Sequence, residues 1–304
     1  MINWCKKFFL LLVLLLVNAG VQALECRPLG ALKTGVETDL RHSQGLLWQI
    51  SKTGQQPSYL FGTMHVSDPD VTTLPEPVAK ALAGSDVFVM EARLDTPEVM
   101  QFAQAMFFAD GTRLSSLIDA ELYQRAETIL GNHGIPAIAV DTLKPWAAFI
   151  TMNMPPQSGA PLDMILMAEA QAQGASVYGL ESIMEQAAIF TDLPDAVQLQ
   201  LLADSICHYD TIQNDMERMK SLYLARDLAG LYSTRESYEL HEGAVYQTLL
   251  QSILHDRNQL MVERMQTYLK TGNAFVAVGA LHLPGEAGIL SLLEQAGYNV
   301  KSIY

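Results

Sequence analysis

The sequence predicts an α/β fold, of α+β character, with a central largely parallel sheet, packed helices and one long helical insertion. Three observations predict it. Short β-rich or continuous apolar runs alternate with helical stretches along most of the chain. Single helices separate most of the strands, the arrangement that crossovers between parallel strands require. Finally, from Ser182 to about Leu269 apolar residues recur at three and four spacing and no credible strand interrupts them.

Taken in order, Leu46–Ile50 and Ser58–Gly62 bracket Thr53-Gly54-Gln55-Gln56-Pro57 and are expected to form a hairpin. Pro75–Ala83 has helical spacing with Gly84 as its stop. A buried strand, Val87–Met90, precedes helices over Pro97–Phe108 and Glu121–His133, the second ended by Gly134. Ile135–Val140 is expected to be another buried strand, Leu162–Gln173 a helix stopped by Gly174, and Ser176–Leu180 a strand. Beyond the helical block, Ala274–Val278, Gly288–Ala296 and Asn299–Ile303 close the chain as strand, helix, strand. Residues 24–304 are expected to form a single domain, with the insertion at about 182–269.

Composition excludes several classes. Apolar types make up 49% of the chain and charged types 17%, which argues against disorder and collagen-like structure. Nineteen basic residues face 33 acidic ones, a net charge of −14. Such a chain repels phosphate backbones and anionic membrane surfaces, so nucleic acid is not an expected partner. At the N-terminus, Lys6 and Lys7 precede an apolar run from Phe8 to Val17 and then Val21-Gln22-Ala23. This is the pattern of a cleavable export signal, residues 1–23, cut after Ala23. The apolar run is too short to span a bilayer. The mature protein is therefore expected in the periplasm or outside the cell, with no membrane span. Two cysteines would then remain, Cys26 and Cys207, and two thiols in an exported chain are expected to pair.

In open α/β sheets ligands bind beyond the carboxyl ends of the strands. Gly62-Thr63-Met64-His65, Glu91, Asp141, Glu181 and Gly279-Ala280-Leu281-His282 each follow an expected strand. A glycine at a strand exit permits a close backbone approach, which would set each histidine over the sheet edge. Two imidazoles and a carboxylate converging there could hold a divalent metal with an open position, or form an acid–base set. Plainer roles are open for several of them. Glu91 could cap a helix or bridge to Arg93, Asp141 could shape a turn, and Glu181 with Gln186 could cap the next helix. Arg257-Asn258, on a helix from Val245 to about Leu269, could clamp a carboxylate, carbonyl or phosphate, or Arg257 could pair with Glu91 or Glu181. His42, His133, His208, His241 and His255 lack a repeated context and are taken as surface or packing residues.

With these residues assembled, the chain resembles the TraB/GumN family, which includes pheromone-shutdown proteins and Tiki-type metalloproteases. The matching residues are Phe61-Gly62-Thr63-Met64-His65, Glu91, Lys144-Pro145-Trp146, Asp163, Gly179-Leu180-Glu181 with Gln186, Arg257-Asn258, and Val278 to Gly285. They run from about Leu46 to the C-terminus. The resemblance implies a fold similar to erythromycin esterases and ChaN-like haem-binding proteins. It also implies His65, Glu91 and His282 as metal-site or catalytic residues.

The leading expectation is an exported metal-dependent hydrolase acting on a peptide or amide. His65 and His282 would ligate a divalent ion, with zinc, manganese or cobalt as candidates, and Glu91 would be a third ligand or the base. Arg257 would stabilise developing negative charge, Asn258 would donate a further hydrogen bond, and Glu181 completes the catalytic set. Two alternatives stay open. One is a metal-independent esterase-like hydrolase, and the other a non-catalytic module that holds a peptide or haem.

Overall fold

Leu47–Ser51 (β1) and Ser58–Thr63 (β2) pair antiparallel, with Leu47 opposite Phe61 and Ile50 opposite Ser58. The expected hairpin is therefore present. After it the chain winds through parallel strands: Val87–Ala92 (β3), Ser176–Glu181 (β4) and Ala274–Gly279 (β5). Asn299–Ser302 (β6) returns antiparallel to β1. The spatial order is β4-β3-β5-β2-β1-β6, and the run β4-β3-β5-β2 is parallel throughout. The computed structural model describes residues 24, 26–27, 40–156, 158–237 and 248–304. The expected export signal lies outside them, as do Val245 and His241.

The order of the sheet follows from its side chains. β5, Ala-Phe-Val-Ala-Val-Gly, is buried along almost its whole length and sits between β3 and β2, as a continuous apolar strand covered on both faces must. Phe88 and Phe275 from adjacent strands stack with ring centroids 6.1 Å apart. Helices Leu162–Ala172, Arg257–Thr271 and Ile289–Gln295 add Leu166, Met261, Met265 and Leu290 to this core. Among the described residues, a second core contains no strand residues. Leu114, Leu130, Leu143, Trp146 and Met152 pack there against Leu202 and Ile206. Helical packing is thus not confined to the block expected at 182–269.

Two expectations about the elements are corrected. Ile135–Val140 is not a strand: Ala137–Val140 is one helical turn, entered through Pro136, and Ile138 is 87% exposed. A short apolar run does not by its period distinguish strand from helix, and the proline ahead of it favours the turn. Asp141 is accordingly not at the sheet edge; its Oδ1 accepts a hydrogen bond from the Ser115 N–H at 2.9 Å, a turn role. The helix Pro145–Met152, which supplies Trp146 and Met152 to the second core, was not among the expected elements.

The expected bridge is present. Cys26 and Cys207 are joined, with a Cα separation of 5.7 Å, inside the usual disulfide range. Arg27 next to it pairs with the buried Asp204 at 2.5 Å, and the Arg27 carbonyl contacts His208 Nε2 at 2.6 Å. Among the described residues no helix is long and apolar enough to cross a membrane.

Candidate active site

Parallel pairing of β3, β5 and β2 brings three strand exits side by side, with β5 in the middle. Gly279, the last residue of β5, is in register with Thr63 of β2. A methyl group added at Gly279 would lie 3.2 Å from Glu91 Oε1, 3.4 Å from His282 Cδ2 and 3.8 Å from His65 Nε2. The three residues therefore converge on one narrow hollow at Gly279, tighter than a methyl group would need.

Each imidazole is anchored through its Nδ1 by an oxygen from a different helix. His65 Nδ1 meets Asp163 Oδ2 at 2.6 Å, and Asp163 Oδ1 accepts from the Thr63 hydroxyl at 2.7 Å. Asp163 stands in the first turn of Leu162–Ala172, a helix docked on the same strand exit by the Leu162 N–H donating to Val66 O. The Tyr223 hydroxyl reaches in from the helix Tyr209–Leu224 and donates to Gly62 O at 2.9 Å. His282 Nδ1 meets Asn258 Oδ1 at 2.7 Å, while Asn258 Nδ2 donates to Ala287 O at 2.8 Å. Both ends of the Asn258 amide are thus engaged. In this arrangement it positions His282 and does not reach out as the donor to substrate that was expected.

Arg257 enters from the same helix as Asn258, directly after a π-helical segment, Gln251–Asp256. Such segments are rare and often mark functional sites. The guanidinium grips Glu181 through Nε, at 3.1 and 3.0 Å, and through Nη2, at 2.7 Å. Nη2 also donates to Glu91 Oε2 at 2.5 Å, and Nη1 lies 3.3 Å from His282 Nε2. Gln186 Nε2 contacts Glu181 at 3.2 Å and Glu91 at 3.4 Å. The helix cap open to Glu181 and Gln186 as a plainer role is made instead by Ser182 and Glu185. Arg264 ties the helix Arg257–Thr271 to the end of β4 and to the helix Ile183–Thr191, donating to Leu180 O and to Glu185.

The electrostatics divide the site. Burial alone would raise the Glu91 carboxyl, but His282, Arg257, His65 and the Gly279 N–H at 2.6 Å hold it well below the usual carboxylate range. Burial pushes His282 down to about 4, with Arg257 and His65 adding to the effect against Glu91. Around His65, a half-exposed ring, partial loss of water also disfavours the charged form, yet the charge and hydrogen bond of Asp163, with Glu91 behind it, outweigh that and raise it to about 9. For Arg257 the paired carboxylates outweigh burial and raise the guanidinium above its ordinary range.

All six expected site residues, His65, Glu91, Glu181, Arg257, Asn258 and His282, are in this one constellation. Asp163, Thr63, Gln186 and Tyr223 join them without having been given site roles in advance. Asp163 and Gln186 were visible as residues of the family pattern; Thr63 lay inside the first Gly-x-x-His motif, and nothing local singled out Tyr223. Among the described residues no three His, Cys, Asp or Glu groups stand at the spacing needed to hold a metal ion.

A family model matches residues 46–302, from β1 to the end of β6 and across every residue of this constellation. The chain belongs to the TraB/PrgY/gumN family. Among TraB/PrgY/gumN relatives, YbaP of Shigella flexneri, an uncharacterized protein, is 26% identical over 250 residues, 80% of this chain and 90% of that one. The zebrafish (Danio rerio) protein named metalloprotease TIKI2 is 24% identical over 311 residues, covering 84% of this chain. The match spans 60% of the TIKI2 chain. A metalloprotease TIKI homolog of Amphimedon queenslandica is 25% identical over 313 residues, 84% of this chain and 61% of that one. No solved structure matches.

Proposed function

We propose that this TraB/PrgY/gumN protein is a metal-dependent hydrolase acting on a peptide or amide, as the names of its TIKI relatives suggest. The observation that carries the proposal is the hollow at Gly279, on which His65 Nε2, Glu91 Oε1 and His282 converge from three adjacent strands. In kind the donor set, two imidazoles and a carboxylate, fits a divalent ion, although with Arg257 on His282 and Glu91 the three do not stand at binding spacing. Both rings are held at Nδ1 by an oxygen, the outer-sphere support that fixes a metal-binding histidine with Nε2 towards the ion. His65 and His282 would hold the ion through Nε2 and Glu91 through its carboxylate. When bound, it would supply a Lewis acid for a carbonyl and a water acidic enough to attack near neutral pH.

The chain's own groups have separable tasks. A carboxylate as depressed as Glu91 is a weak proton acceptor, which supports the ligand role over the base. Asp163 with Thr63, and Asn258 with Ala287, keep the two rings in place. Arg257 would supply positive charge against the negative charge that a carbonyl oxygen gains. Glu181 and Gln186 orient that guanidinium. The protein is further proposed to act after export, in the periplasm or outside the cell, a reading supported by the N-terminal sequence pattern and by Cys26–Cys207.

A metal-independent reading is favoured by one contact, Arg257 Nη1 against His282 Nε2 at 3.3 Å. There, His65 backed by Asp163 would move the proton and Arg257 would meet the negative charge. Elemental analysis of untagged mature protein, with hydrolysis of a peptide and an ester library before and after dialysis against a chelator, separates the two. Bound transition metal at one per chain and peptide cleavage lost on chelation and restored by metal are expected. Cleavage that survives complete metal removal would overturn the leading reading.

A further inference from the structure

Arg257 and an ion would use the same atoms. The Nδ1 of His282 belongs to Asn258, so Nε2 is the ring's acceptor towards the hollow, and Arg257 Nη1 lies on it at 3.3 Å. Nη2 lies on Glu91 Oε2 at 2.5 Å. From these contacts we propose that Arg257 is the affinity-setting residue of the site, a built-in cation that a divalent ion has to displace from His282 and Glu91. The proposal rests on the metal reading above.

The guanidinium is held so that it can yield. Its Nε and Nη2 edge stays on Glu181, which is 7% exposed and has both oxygens on the fork. Nη1 has to leave His282 but retains Ile253 O at 3.3 Å as an acceptor, and Nη2 has to leave Glu91 but retains Glu181 at 2.7 Å. Ile253 lies in the π segment, so the carbonyl that receives Nη1 belongs to the irregular turn of the helix. The side chain therefore has somewhere to stand when an ion takes its place.

The cost of this displacement does not depend on which divalent ion arrives. It lowers all affinities by a common factor. Ions that bond imidazole strongly still occupy the site, and oxygen-preferring ions such as magnesium and calcium do not. Arg257 is thus a threshold against abundant, weakly binding cations.

Calorimetric titration of metal-stripped mature protein with zinc, cobalt, manganese and magnesium tests this in wild type, Arg257→Gln and Arg257→Lys. Removing the guanidinium is expected to tighten zinc, cobalt and manganese alike, by at least about tenfold. Lysine, which keeps the charge but cannot span Glu181 and His282 together, is expected to fall between. Circular dichroism precedes each titration, and if the glutamine variant does not fold the lysine variant decides by the same criterion. Tighter binding in a variant supports the proposal, including where the wild type binds too weakly to measure. Equal or weaker binding in the variants than in a wild type that does bind overturns the competition and leaves the metal reading standing. No binding by wild type or folded variants overturns both.

Discussion

Gly62-Thr63-Met64-His65 and Gly279-Ala280-Leu281-His282 follow neighbouring parallel strands whose glycines and histidines have the same spacing, yet they do opposite things. His65 is 47% exposed, sits on a carboxylate and is raised to about 9. His282 is 5% exposed, sits on an amide and is lowered to about 4. The glycines differ as well. A methyl group at Gly62 would meet Leu283 Cδ1 at 2.8 Å and Ala280 Cα at 3.1 Å, so this glycine lets the second motif pack on the first. At Gly279 the methyl group would enter the hollow. The motif sets where the backbone goes; partners from remote helices set what each histidine is.

The largest expected difference lies in stability. His282→Ala leaves a cavity and strands the buried Asn258 oxygen, and should cost about 2–3 kcal/mol in metal-free protein. His65→Ala removes a half-exposed ring and leaves Asp163 its Thr63 bond, so its cost should stay within about 1 kcal/mol. Urea denaturation in the presence of chelator measures both. Equal losses would break the contrast between the two motifs.

The glycines give the next effect. Gly62→Ala presses on the backbone of Ala280 and should destabilise by about 1–3 kcal/mol. Gly279→Ala, with contacts of 3.2 Å and longer, should cost within about 1 kcal/mol, yet it fills the hollow and should weaken ion binding by about tenfold or more. Denaturation and calorimetry on the same two variants check the pair. If Gly279→Ala leaves ion binding intact, the hollow is not where the ion sits.

This contrast also explains how far the sequence could be read. Strand exits are legible because a short apolar run carries its own local signal; Gly-x-x-His after such a run marked His65 and His282, and a carboxylate directly after one marked Glu91 and Glu181. Arg257 was legible as a cation on a helix, with ion pairing to Glu91 or Glu181 as one of its two readings; both pairs are present. Asp163 was less so, since a carboxylate in the first turn of a helix is ordinary there. Only the docking of that helix on the β2 exit turns it into the partner of His65. Ile135–Val140 failed for the opposite reason: its pattern was clear, but the same pattern serves a buried strand and a single helical turn.

Exchanging one partner sharpens the comparison further. Asp163→Asn keeps an oxygen for His65 but removes the charge, and His65 should fall from about 9 towards or below the ordinary histidine value of 6.5. Asn258→Asp should raise His282 from about 4, although its second oxygen then faces the Ala287 carbonyl. Imidazole proton shifts followed by NMR across the pH range report both. A His65 that titrates unchanged in Asp163→Asn would mean that Asp163 is not what raises it.

The smallest effect is the slope of stability with pH, and the two histidines should bend it in opposite directions. Between 6.5 and about 4 the unfolded chain protonates His282 while the folded protein does not, so the unfolded state binds the extra proton and stability falls as the solution is acidified. Glu91 adds to this limb: depressed in the folded protein, it contributes stability above its ordinary value of 4.5 that is lost as pH falls further. His65 acts on the other side. Its folded value is above its unfolded one, so its contribution is complete below 6.5 and is lost as pH rises through about 9. Because that ring is half-exposed, water screens its pair with Asp163, and the alkaline limb should be the shallower of the two. Metal-free protein should therefore be most stable close to pH 6.5, with a steeper decline on the acid side. Denaturation midpoints at unit pH intervals between 4 and 10 map both limbs. His65→Ala should flatten the alkaline limb alone, and His282→Ala the part between 4 and 6.5. If either substitution flattens the limb assigned to the other, the opposition between the two motifs is wrong.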